Sequence, residues 1–196
     1  MRTILFAGHR MDAGNRPAPR FPADMEALAG KAIRDAVASI AADREPVQGI
    51  AGGASGGDIL FHEACGHLHI PTRLCLPMKE EAFIAESVAP AGFEWVQRFK
   101  ALVARVPPVF LRDWLNAHET NDAHAHTVWE QNNQWLLDEG LMEGPDNLTV
   151  LVLWDGKVGD GPGGTGALVR AASDAGAHVI VIDAADLRNH APREQG

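Results

Sequence analysis

The residues with chemistry to offer are gathered by glycine. Eleven of the twenty glycines in this 196-residue chain fall in three short segments: Gly8-His9-Arg10, Gly52-Gly53-Ala54-Ser55-Gly56-Gly57-Asp58, and the stretch from Asp155 to Gly166, which ends Gly161-Pro162-Gly163-Gly164-Thr165-Gly166. A glycine tolerates positive φ and has no Cβ, so a turn rich in it brings backbone N–H groups to bear on an anion. Where the turn runs into a helix, the positive end of the helix dipole adds to the attraction. The chemistry this suits is the cradling of a phosphate. In that reading Gly161, Gly163, Gly164 and Gly166 supply amides and Thr165 a hydroxyl, while Gly53, Ser55, Gly56 and Gly57 do the same from the second segment. Asp58 would accept from ribose hydroxyls, since it would repel a phosphate. Arg10 would grip an anion through two parallel hydrogen bonds, and His9, held after Gly8, would donate one or stack on a base. Each has a plainer alternative: tight turns for the glycines, helix caps for Thr165 and Asp58, solvated loops for Ser55, His9 and Arg10.

Other chemistries fit less well. The second segment lacks the Gly-Lys-Ser/Thr ending of a triphosphate loop, and the first strand is not followed by Gly-x-Gly-x-x-Gly. The usual NTPase and dinucleotide-dehydrogenase readings are thereby excluded, and no cofactor is expected. His118, His124 and His126 with Glu119 and Asp122 are zinc-compatible, but no His-Glu-x-x-His occurs, so no metal is expected. Cys65 and Cys75 have neither metal nor redox spacing and are read as buried thiols. Seventeen Lys+Arg against 26 Asp+Glu give a net charge of −9, which makes nucleic acid an unlikely partner. No apolar run nears the ~20 residues of a membrane span, and the default location is the cytoplasm.

Positioning falls to alternating strands and helices. Strands are predicted over Thr3 to Ala7, Val47 to Ala51, Arg73 to Leu76, Val109 to Arg112, Leu148 to Trp154 and His178 to Asp183. Helical spacing occupies Met25 to Ile40, Asp58 to His69, Lys79 to Arg105 with a break near Pro90-Ala91-Gly92, Thr127 to Met142, and Gly164 to Ala175. The near-continuous apolar run at 148–154 predicts burial on both faces, as in a parallel sheet covered by helices. The expectation is one α/β domain over 1–188, a three-layer Rossmann-like open parallel sheet, with a lid insertion at 113–126 carrying Trp114 and a frayed tail at 189–196. His62, His67 and His69 are read as helix-surface or packing residues. In such sheets ligands bind beyond the carboxyl ends of the strands, and all three glycine segments directly follow strands.

In these segments, and in their order along the chain, the sequence resembles the SLOG superfamily of Rossmann-like domains, whose members bind nucleotides or nucleotide-derived signals. The resemblance spans nearly the whole chain as an order of elements and rests on few motif residues. It implies a SLOG-type fold with a nucleotide-type small molecule at the loops named above. One branch, the LOG phosphoribohydrolases, cleaves a nucleoside monophosphate into base and ribose 5-phosphate. Its Pro-Gly-Gly-x-Gly-Thr-x-x-Glu motif, laid on Pro162 to Gly166, puts Ala167 where Thr is expected and Arg170 where the catalytic Glu should stand. That branch also carries an essential Arg on the preceding helix, where this chain has Asn132, Asn133 and Gln134. A guanidinium in place of a carboxylate reverses the charge, so a sensor or signalling module is expected before an enzyme. The alternative is a divergent LOG-like hydrolase in which Asp58, Asp160 or Glu130 replaces the lost Glu. Single-stranded DNA binding, as in DprA-like relatives, would need a basic groove that this composition hardly provides. LOG relatives are dimers, which implies a homodimer here; Asn133 is included among the ligand-facing residues because its helix would line a SLOG-like cleft.

Overall fold

Apolar residues that alternate between two faces need cover on both, and the strands of this chain receive it. The computed structural model describes residues 1–14, 16–42, 46–111, 128–157 and 163–190. Six strands, β1 (Arg2–Gly8), β2 (Val47–Ala51), β3 (Thr72–Leu76), β4 (Val109–Phe110), β5 (Leu148–Trp154) and β6 (His178–Asp183), form one parallel sheet in the order β4-β3-β2-β1-β5-β6. The helices are α1 (Glu26–Ile40), α2 (Gly57–His67), α3 (Glu80–Phe83), α4 (Phe93–Arg105), α5 (Val128–Gly140), α6 (Thr165–Asp174) and α7 (Ala184–His190). Chain direction across the sheet reverses at β1, whose neighbours are β2 and β5. In open parallel sheets the crevice that takes ligands lies at such a reversal, here at the carboxyl ends of β1 and β5.

The pleat sorts the core into two halves. Ile4, Phe6, Leu74, Leu151 and Leu153 pack with Ala29, Ile33 and Val37 of α1, Phe61 of α2 and Phe99 of α4 on one side. Leu5, Ile50, Val150 and Val152 pack with Trp135 and Leu136 of α5 and Leu168 of α6 on the other. The result is the three-layer α/β architecture expected from the alternation. On the first side Arg98 pins three helices together: its guanidinium bonds Glu63 of α2 through two nitrogens (2.9 and 2.6 Å) and Glu26 of α1 (2.7 Å), and lies 4.0 Å over the ring of Trp95 on its own helix.

The expected elements are found with boundaries shifted by a residue or two, and β4 is shorter than expected. The break in the 79–105 helix takes the form of a π-helical turn (Ile84–Val88) followed by a 3-10 turn (Ala89–Ala91). One element was not expected. Residues 184–190 form α7, capped by Asp183 Oδ1, which accepts the N–H groups of Ala185 (2.7 Å) and Asp186 (3.3 Å), and anchored by buried Ala184. Seven residues are too few to show helical periodicity in sequence. The lid expected at 113–126, most of the tail, and Gly161 of the third glycine segment lie outside the described residues.

Gly56 is the backbone residue on which the edge of the sheet turns. Its φ is +94°, and a Cβ there would lie 2.7 Å from the Met11 nitrogen and 2.9 Å from the His9 oxygen. Gly156 also has positive φ (+74°) but nothing within 4 Å. Gly156→Ala is therefore expected to lower stability by about 1 kcal/mol, through backbone strain alone. Gly56→Ala adds a clash with backbone and should lose about 3 kcal/mol. Urea midpoints at unchanged m-value check this, and equal losses at the two positions would contradict it.

Candidate functional site

The first two glycine segments are joined by backbone hydrogen bonds. As the chain leaves β1, the His9 N–H donates to Leu153 O of β5 (3.1 Å), the Met11 N–H to Ser55 O (3.0 Å), and the Gly57 N–H to His9 O (3.1 Å), while Arg10 and Gly56 form an antiparallel bridge. The loop after β1 thus crosses the N-terminus of α2. Much of the glycine pattern serves this approach. The space a Cβ would need at Gly8 and Gly57 is filled by the Phe6 ring, at Gly53 by Phe99 and Leu74, and at Gly166 by Trp154.

At the crevice between β1 and β5 lies a buried polar cluster. Asp155, in the first residue past β5, receives a two-pronged hydrogen bond from Arg20, Nη2 to Oδ1 at 2.8 Å and Nε to Oδ2 at 3.1 Å. Its side chain is 4% exposed. Burial alone would raise its pKa, but the Arg20 hydrogen bonds, the Lys157 N–H, His9 and the Arg20 charge together hold the carboxyl well below the usual range, so it is ionised at neutral pH. The Asp155 N–H donates to His9 Nε2 (3.1 Å), which also lies 3.2 Å from Asp155 Oδ1. Burial, followed by the Arg20 charge, pushes the His9 pKa down against the pull of Asp155. Asp12 completes the cluster: its Oδ2 accepts the N–H groups of Arg20 (2.7 Å) and Phe21 (2.8 Å), and Arg188 of α7 donates to Arg20 O (2.8 Å). Sequence reading missed Arg20 and Asp12, because nothing local marks a pair separated by 135 residues. The Asp155 side chain also accepts the Lys157 N–H (3.2 Å), as a turn aspartate does.

The second segment faces the turn after β3. Ser55 is buried; its N–H and its hydroxyl both donate to Ser87 O (3.0 and 3.1 Å), so the proton expected to meet a ligand is committed within the protein. The Ser87 hydroxyl, 2% exposed, has no hydrogen-bond partner among the described residues. Arg10 is exposed and donates from Nη1 to Glu86 O (3.1 Å). Asp58 is not the N-cap of α2, a place held by Gly56. Its Oδ2 accepts the Ala54 N–H at 3.2 Å, and the side chain keeps some exposure. Burial pushes the carboxyl up to about 7, with the Ala54 N–H and Arg10 opposing. One turn on, His62 is buried with ring nitrogens 2.9 Å from Gly52 O and 2.9 Å from Thr72 Oγ1; burial pushes it down to about 4. Cys65 and Cys75 are buried thiols pushed up to about 12.

The third segment meets α5. Gly163 has φ +78°, and a Cβ there would lie 2.6 Å from the Trp129 carbonyl carbon; Asn133 Nδ2 donates to Gly163 O (2.6 Å). Asn133 thus fastens the loop. Gly164 is the N-cap of α6 and brings no side-chain cap. The half-buried Thr165 opens the helix, and the amides of Thr165 and Gly166 have no acceptor among the described residues. Ala167 and Arg170 are exposed on α6. Among the described residues no group of three or more His, Cys, Asp or Glu is placed to hold a metal ion, and the histidines at 118, 124 and 126 lie outside them. The sequence matches no protein-family model and no curated protein.

Asp58 and His62 have opposite effects on stability with pH. Asp58 has a folded pKa above its unfolded value, so its contribution is full below about 3.8 and is lost as pH rises to about 7. His62 has a folded pKa below its unfolded value, so its contribution is full above about 6.5 and falls by roughly 3 kcal/mol as pH drops towards 4. Denaturant titrations should therefore show Asp58→Asn close to the parent below about pH 4, increasingly more stable than it as pH rises to about 7, and level above that. A difference that shrinks with rising pH would show that Asp58 is ionised without strain.

Proposed function

We propose that this chain binds a nucleotide or nucleotide-derived small molecule at the carboxyl edge of its sheet and serves as a sensor or signalling module of the SLOG type. The observation that carries the reading is the N-terminus of α6, which follows β5 at the point where strand order reverses, has no side-chain cap, and leaves the Thr165 and Gly166 amides unpaired among the described residues. Open parallel sheets take ligands at this place, and free amides at a helix N-terminus suit a phosphate. Exposed Arg10 adds a cation from the neighbouring loop. Because the chain carries a net charge of −9, anion binding depends on such local donors, which favours a small ligand over nucleic acid. No helix among the described residues is long and apolar enough to cross a membrane; a cytoplasmic location is part of the proposal. A homodimer belongs to the proposal through the likeness to LOG domains.

A second reading has one observation in its favour. Asp58 is a half-buried residue at the same edge whose carboxyl, raised by burial to about 7, is poised to give or take a proton near neutrality. In a divergent LOG-like hydrolase its acid form would protonate the departing base as the bond from the anomeric carbon to the base nitrogen breaks, and the resulting carboxylate would take the proton released by the water whose oxygen bonds to that carbon.

Calorimetry and thermal shift against nucleoside mono- and diphosphates, cyclic nucleotides and ADP-ribose derivatives test the first reading. A bound ligand at 100 times its Kd should stabilise the fold by about 2.7 kcal/mol. Arg10→Ala should weaken binding roughly tenfold while leaving the melting temperature of the free protein unchanged. No shift with any ligand overturns it. Release of free base from a nucleoside monophosphate, abolished in Asp58→Asn, would move the assignment to hydrolysis.

A further inference from the structure

One buried side chain on α5 lacks the partner that its chemistry demands. Asn132 is 7% exposed, and its Oδ1 has no hydrogen-bond partner among the described residues. Buried polar atoms are paired in the great majority of cases, and leaving one unpaired costs about 1–3 kcal/mol. The neighbouring residues show how unusual this is. Asn133, next in sequence, donates to Gly163 O, and the other buried positions of α5 are Trp135, Leu136, Leu137 and Gly140. A leucine at 132 would suit that face without the penalty.

The position of Asn132 points to the crevice. α5 runs from the carboxyl edge of the sheet, where Trp129 abuts Gly163, to the opposite edge, where Gly140 abuts Leu148. Asn132 therefore lies about one turn in from the rim, on the helix that packs over β1 and β2. The Trp129 ring, three residues before it, contacts Phe83 at 6.4 Å between centroids, which brings the second buried orphan, the Ser87 hydroxyl, to within about one helical turn of the same contact.

We propose that Asn132 reads the uncharged part of the bound molecule: the group it takes presents a hydrogen-bond donor beside an acceptor, while the phosphate is held elsewhere on the rim. A carboxamide carries no charge with which to neutralise a phosphate, and its acceptor and donor lie side by side. Ribose hydroxyls and the edge of a nucleobase both offer that complement. The inference rests on the ligand reading above and adds a specificity-determining residue to it.

The test uses the full chain and two variants, Asn132→Leu and Asn132→Ala, titrated calorimetrically with inorganic phosphate, ribose 5-phosphate, and adenosine and guanosine monophosphates. The free Asn132→Leu protein should melt no lower than the parent, bind inorganic phosphate as the parent does, and bind the larger ligands about tenfold or more weakly. A loss already present with ribose 5-phosphate assigns the contact to the sugar, and a loss seen only with the nucleotides assigns it to the base. Asn132→Ala is scored on the same binding ratio if the leucine variant does not fold. Parent-like binding of the larger ligands by the variants overturns the inference alone, as does equal weakening of phosphate and nucleotide. A parent protein that binds none of the four ligands overturns the ligand reading and this inference with it.

Discussion

The pairing of Arg20 with Asp155 holds the carboxyl edge of the sheet together. Arg20 belongs to the loop after β1 and Asp155 to the loop after β5, so their two hydrogen bonds span the crevice where strand order reverses. Both groups are largely out of water, and breaking such a pair from one side leaves an uncompensated charge at a loss of about 3–5 kcal/mol. His9, Asp12 and Arg188 attach to the same pair through ring, carboxylate and guanidinium contacts. Arg10, Asp58 and the N-terminus of α6, the groups of the proposed ligand site, belong to the loops and helix starts at this same edge.

The architecture was legible because burial imposes periodicity. The Leu148–Trp154 run shows its two-sided burial in composition alone, and Ala29, Ile33 and Val37 mark the buried stripe of α1 by spacing. The convergence of the three glycine segments was legible too, since each follows a strand of a parallel sheet. The reason for the glycines was only partly so. At Gly56 and Gly163 they serve turns with positive φ and crowded surroundings, and at Gly8 and Gly57 they make room for Phe6. A sequence shows that a Cβ is missing but not what occupies its place, which in these cases is the protein itself.

What stayed hidden was long-range or environmental. Arg20 finds Asp155 across 135 residues, and no spacing rule reaches that far. Asp58 is a common helix-start residue in sequence; only its burial in the fold, against the opposing pull of the Ala54 N–H at 3.2 Å and of Arg10, raises its carboxyl to about 7. The two asparagines of α5 are adjacent and chemically identical, yet one fastens Gly163 and the other has a buried oxygen with no partner among the described residues. Their division of labour depends on the direction each side chain takes from the helix.

The central claim is that the amides opening α6 receive an anionic ligand. Its most direct measurement is an amide NMR titration of the intact chain with a nucleoside monophosphate, following the assigned Thr165 and Gly166 resonances. The account predicts that these two move saturably and together with the Arg10 amide, on a single binding curve. Resonances at 165 and 166 that stay fixed, whether other amides move or none do, would contradict it.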